Sequence, residues 1–430
     1  MRHTASLLAL ILAASVASGA GAQDPVEPPA TAPVVAPEPD QPPPSPPPPP
    51  IQGVDVAPLV APDAFSTPGR DTGLPPGLWS GASVATARVV LPLLATKPLT
   101  PAGQQLARRV LATGAPGPAG AGSDPVLVAA RASALSAVGD PKAAAVLLSR
   151  APGLDRSPEL SRAAAEIALL AGDDARACEV AEGLSAGRDD IYWLRLRAYC
   201  QVLAGKTAQA QLTFELAQTQ ARDPIYGRLM AVKLAGAGDP RPASLRNGLD
   251  FALSRSLGLD VTAAKPAPAV AAALVSGDPV PPTWDLSVLD PTLEGVASAM
   301  VAGQDLPAGG LSALIGAAAD ADPKSRAKLQ GAALLAAALP DILAPDDRAR
   351  VAAFATPEGK APAGRSLALD DAARHKLIGE TALLSLWTLS DAGTAGPSVA
   401  DRARIVHALA LAGLPIEARS LAVEGLLALK

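Results

Sequence analysis

Four glycines stand at a constant interval of 33 residues: Gly139, Gly172, Gly205 and Gly238. The same interval aligns Asp124, Ser157, Asp190 and Asp223. Each carries a side-chain oxygen that can satisfy the free N–H groups at a helix start. Pro125, Pro158 and Pro224 follow three of them, at the first helical position, where proline sacrifices no hydrogen bond; Ile191 follows the fourth. Small residues keep the register, with Ala132, Ala165, Ala198 and Ala231 before the glycines and Ala144, Ala177, Ala210 and Ala243 after them. This pattern predicts helix pairs that turn at the glycines, cross closely at the alanines and bury their apolar faces by stacking.

Composition agrees with an all-α body. Over the whole chain aromatic residues are 3% and charged residues 18%. Helix formers dominate from about Ser80, without the period-two alternation of strands. The apolar share of 49% overstates the core, because so much of it is alanine. The residue types and spacings within 124–255 resemble the tetratricopeptide-repeat family, as does a C-terminal unit with Ser398, Gly413 and Ala418, where Val406 replaces the first alanine. The period is 33 rather than the family's usual 34, and its large aromatic positions are mostly small here. The resemblance implies a superhelical stack whose concave face binds a protein or peptide.

The rest of the chain divides by composition. Residues 1–22 read as a secretory signal peptide, with Arg2 and His3 before an apolar run and Ala20-Gly21-Ala22 at the cleavage site. The alternative keeps this segment uncleaved as a membrane anchor. Residues 23–79, with prolines from Pro42 to Pro50 broken only by Ser45, are expected to form a disordered acidic tail. A spacer is one use of such a tract and a proline-motif ligand another. Removing Arg2 takes the net charge from −5 to −6, and the six acids between Gln23 and Gly69 account for all of that, so residues 70–430 sum to zero. That balance gives no sign of a nucleic-acid partner. The predicted body comprises a capping hairpin and repeats over 80–255, a proline-rich linker over 256–282 and a helical segment over 283–430.

Within this frame Ile191 to Ala204 is the first helix of the third unit, Gly205 its turn, and Lys206-Thr207 the start of the next helix. Gly205-Lys206-Thr207 is therefore not a phosphate loop, which would need a glycine at Cys200 and a preceding strand. Tyr192 and Trp193 are candidate partner-binding anchors, against the alternative that they fill the core. The chain has two cysteines, Cys178 and Cys200. Export and an even count point to a disulfide, and the 33-residue register puts the pair on adjoining helices at similar depth.

Catalytic chemistry finds weak candidates. Ser325 and Lys328 match the S-x-x-K of penicillin-binding serine enzymes, but Ser390-Asp391 is followed by Ala392 and no K-T-G lies downstream. His375 with Asp371 could offer two metal ligands on one helical face, with no third nearby; His407 lies on an apolar helix. No catalytic residue, cofactor or metal site is expected. The chain reads as an exported, periplasmic, non-enzymatic scaffold for an envelope protein or peptide. A cell-wall serine hydrolase or transpeptidase and a membrane-anchored stalk are the alternatives.

Overall fold

The structure is a computed structural model that describes residues 63–275, 278–306, 309–340 and 343–429. The expected signal peptide and most of the expected tail lie outside the described residues. The described residues form nineteen α-helices and no strand.

Two helices, α1 (Val84–Thr96) and α2 (Pro101–Ala112), precede the region with the 33-residue interval. Six helices then come in three pairs: α3 (Pro125–Ala137) with α4 (Pro141–Ser149), α5 (Pro158–Ala171) with α6 (Asp174–Gly183), and α7 (Ile191–Leu203) with α8 (Thr207–Gln220). The local chemistry explains their boundaries. Asp124, Ser157 and Asp190 accept hydrogen bonds from the backbone N–H groups of the first helical turns. Gly139, Gly172 and Gly205 lie between the helices of each pair with φ of +97°, +82° and +71°, a left-handed conformation that disfavours any side chain. Ala132, Ala165 and Ala198 are fully buried, as are Ala144, Ala177 and Ala210, so the paired helices approach without a bulky side chain between them.

The fourth interval departs from this pattern. Helix α9 (Pro224–Ala235) starts at the cap Asp223 but ends at Gly236, not Gly238, and Ala231 is exposed. No helix follows at once, because Pro240 and Pro242 lack the N–H groups that a helix needs and disfavour helical geometry in the residues before them. The Arg228 guanidinium donates to the carbonyl oxygens of Pro240 and Pro242 and holds this loop. The chain then forms α10 (Gly248–Ser256), capped by Asn247, which packs on α5 and α9. The stretch expected to be a linker carries a short helix, α11 (Pro268–Leu274), which packs on α3, α1, α5 and α10. The chain itself thus covers part of the side formed by the first helix of each pair.

The C-terminal segment comprises α12 (Pro291–Val301), α13 (Gly310–Ala319), α14 (Arg326–Ala337), α15 (Pro345–Ala352), α16 (Ala363–Arg374), α17 (Ile378–Ala392), α18 (Val399–Ala412) and α19 (Pro415–Ala428). It folds back on the N-terminal helices. Instead of a capping hairpin, α1 packs on α3 and α17, while α2 packs on α17, α19 and α3. Glu380 of α17 accepts hydrogen bonds from the Ser83 N–H (2.8 Å) and the Thr86 hydroxyl (2.7 Å), capping α1 from outside. Glu424 of α19 takes the Ala102 N–H (2.9 Å) and the buried Arg402 guanidinium (2.7 Å). One apolar core runs through α1–α5 and the C-terminal helices, while α5–α7, α9 and α10 share a second.

Residues 63–79, expected to belong to the disordered tail, are packed. Phe65 and Trp79 are buried with their rings edge to face, 5.8 Å apart. Arg131 is only 1% exposed, and its guanidinium donates to the carbonyl oxygens of Ala64, Phe65, Thr67, Leu111 and Thr113. These contacts pin the segment to the body in spite of its tail-like composition.

Candidate functional site

The two cysteines form a disulfide between α6 and α7, with Cα atoms 5.6 Å apart. It fastens the second helix pair to the third. Trp193, 2% exposed, lies in the core with Leu196, Tyr199 and Leu253, so it is not presented to a partner as an anchor would be. Helix α10 explains this burial, because Leu249, Ala252 and Leu253 enter the same core. Tyr192 is 8% exposed, but it borders an open cleft.

This cleft of ≈ 420 Å³ runs along the side formed by the first helices. Thr96, Ser133 and Ser136 line one end; Arg162 and Glu166 of α5, Asp190 and Tyr192 of α7 and Asp223 of α9 line the other, with Asn247 and Asp250 from the start of α10. Most of the charges are committed. Asp223 caps α9 and pairs with Arg246 (3.0 Å) and Arg195 (3.5 Å). Burial raises its pKa, but Arg246 and the α9 N–H groups prevail and hold it below the usual carboxylate range. Asp250 accepts from the Arg246 guanidinium (2.6 Å) and the Ser244 hydroxyl (2.7 Å).

Glu166 is different. Its Oε2 accepts the Gly248 N–H at 2.6 Å, while its enclosed Oε1 has no hydrogen-bond partner. The Tyr192 hydroxyl stands within hydrogen-bonding reach of this carboxyl, and its oxygen is enclosed like Oε1. Arg162 places its guanidinium 4.6 Å from the centre of the Tyr192 ring and makes no ion pair among the described residues. Burial raises the Glu166 pKa, against the opposing effects of Gly248, Tyr192 and Arg162. Burial also raises Tyr192, and the neighbouring carboxyl adds to that shift. The buried Ser136 Oγ and the Arg195 Nε, on the same walls, also have no partner.

The catalytic candidates lie elsewhere. The Ser325 hydroxyl donates to Asp322 at the start of α14, and Lys328 sits 3.8 Å from Asp290. His375 is an exposed C-cap whose Nδ1 meets the Asp371 carbonyl oxygen at 2.9 Å, and no group of metal-ligating side chains is present among the described residues. His407 borders an apolar hollow with Leu334, Leu343 and Val351. Glu166 carries no motif that singles it out in the sequence, although it is a lone acid within the apolar run from Ala163 to Ala171.

No protein-family model, curated protein or solved structure matches this chain. Among the described residues, no helix is long and apolar enough to cross a membrane.

Proposed function

We propose that the protein is an exported, non-enzymatic scaffold whose tetratricopeptide-like helix pairs, repeating every 33 residues, hold a protein or peptide of the cell envelope. The cleft along the first helices carries this reading. It is an open groove whose walls carry charged and polar side chains, among them the exposed Thr96 and Arg162, that a peptide can meet. A disulfide between helices suits an oxidising compartment such as the periplasm, and the signal-like N-terminus provides a route to it. The proline-rich stretch before residue 63 then spaces the body from its point of synthesis or attachment. On this reading Tyr192 contributes its edge of the cleft, and Trp193 supports it from the core.

The engagement of Ser325 by Asp322 and of Lys328 by Asp290 favours a scaffold over a serine hydrolase or transpeptidase. Affinity purification from envelope extracts should recover a partner with the wild-type protein. The same partner should be lost with Thr96→Trp and Arg162→Glu, two exposed positions at the mouth of the cleft. Retention by both variants would contradict the assignment. Acylation by a fluorescent β-lactam that disappears in Ser325→Ala would contradict the non-enzymatic reading.

A further inference from the structure

We infer that a second hollow, where α11 packs on α3 and α5, binds an alkyl carboxylate with its head against Arg108 and its chain along the apolar walls. The hollow measures ≈ 810 Å³. That lies within the range of roughly 300–1,000 Å³ usual for small-molecule sites. Leu99, Ile167 and Leu170 line it, with Ala272 of α11. Val275 and Val280, also on its walls, are each 74% exposed. Apolar side chains left so open keep a cost in water that a bound alkyl chain removes.

Arg108 of α2 supplies the charge. Its Nη1 donates to the Val138 carbonyl oxygen at 3.2 Å and its Nη2 to the Val280 carbonyl oxygen at 3.3 Å. It makes no ion pair among the described residues. A guanidinium has five N–H donors, so the rest are left for a ligand. Asp140, whose charge reaches Arg108, is taken by Arg70 through hydrogen bonds of 2.6 and 2.7 Å. The other cations of the lining are also taken, Lys97 by Asp391 at 2.9 Å and Lys142 by Asp278 at 3.1 Å. Burial pushes the Arg108 pKa down, with Asp140 opposing the shift and Arg70 adding to it. A cation disfavoured in this way gains from an anion that shares its site. One unpaired cation matches one negative charge, and a planar carboxylate can accept two of the guanidinium donors side by side. A phosphate monoester carries about −1.5 to −2 at neutral pH and would leave charge uncompensated in an apolar hollow. A neutral chain would leave Arg108 unpaired, and an amine would be repelled by it.

Titration calorimetry on the full chain with octanoate, octan-1-ol, octyl phosphate and acetate tests the assignment. Octanoate should bind. Octanol should bind at least about tenfold more weakly, because it lacks the charge, and acetate not measurably, because it lacks the chain. Arg108→Gln should bring octanoate to the level of octanol, with unchanged circular dichroism. Ala145→Trp, at an exposed position on the wall, should block the hollow with every charge kept, and it decides the matter if Arg108→Gln does not fold. The proposal is overturned if octanoate does not bind the folded wild-type protein, or if octanol, octyl phosphate or acetate binds as tightly. It is overturned equally if either folded variant binds octanoate like wild type. Thr96 and Arg162 line the first cleft and not this hollow, so partner capture there is a separate question.

Discussion

At the scale of single residues, two buried charges carry opposite burdens. The Arg131 guanidinium is fully engaged by five carbonyl oxygens, so its charge is dispersed even though burial lowers its pKa to about 10. Arg131→Met would strand those carbonyls and should destabilise by more than about 3 kcal/mol, measurable by urea unfolding. It should also make residues 63–79 sensitive to protease before the body unfolds. Glu166 is held less well. Its raised pKa means that the folded state binds the proton more tightly than the unfolded chain, whose carboxyl has the ordinary value of 4.5. Stability from this group therefore falls as pH rises from 4.5 through the raised value, and the full penalty applies above it. Glu166→Gln should melt higher than wild type at pH 7, with the difference shrinking as pH falls towards 4.5. An equal difference at both pH values would show that the carboxyl's ionisation is not the cause. A charge kept at a cost in stability and facing a cleft is what a binding role would explain.

At the scale of elements, the turns were legible and the exceptions were not. An Asp or Ser cap, a proline behind it and a glycine at the turn are local signals, and they place α3 to α8 to within a few residues. The consequence can be checked at Gly205, where φ is +71° and a Cβ would meet no atom within 4 Å. Gly205→Ala should therefore cost about 1 kcal/mol through the backbone alone, as read from thermal unfolding. Gly183, at the end of α6, has an ordinary φ and equally open space, and Gly183→Ala should be neutral or stabilising by about 0.5 kcal/mol. Equal losses at both positions would contradict this account of the turns. The 33-residue interval misplaced the helix after α9 because Pro240 and Pro242 forbid its start, and proline content disguised α11 as linker. Residues 63–79 were hidden likewise. Phe65, Leu78 and Trp79 are good core residues, but they stand among prolines and acids, and their partners on α3 and α17 are distant in sequence.

At the scale of the molecule, long-range closure decided what local pattern could not. Nothing near Glu380 or Glu424 indicates that they cap α1 and α2, some 300 residues earlier by chain position. The register did bring the cysteines together, because they lie on helices that follow one another directly. Reducing the disulfide removes a loop constraint worth about 3 kcal/mol in the chain-entropy model, and should lower Tm by a few degrees with helix content unchanged. Cys178→Ala with Cys200→Ala should match the reduced protein, and two free thiols in periplasmic material would contradict the pairing. The cleft was the least legible feature, since it joins one acid on α5, one tyrosine on α7 and the start of a helix that the interval did not foresee.

The central claim, that the first-helix side holds the partner, is tested most directly by photo-cross-linking in living cells. A photoreactive residue at Ile191, on the cleft wall, is compared with one at Leu212, exposed on α8 away from it. The account predicts a discrete adduct from Ile191 that is lost when Arg162→Glu is added, and none from Leu212. Adducts from Leu212 alone, or none from Ile191 in an exported and folded protein, would contradict it.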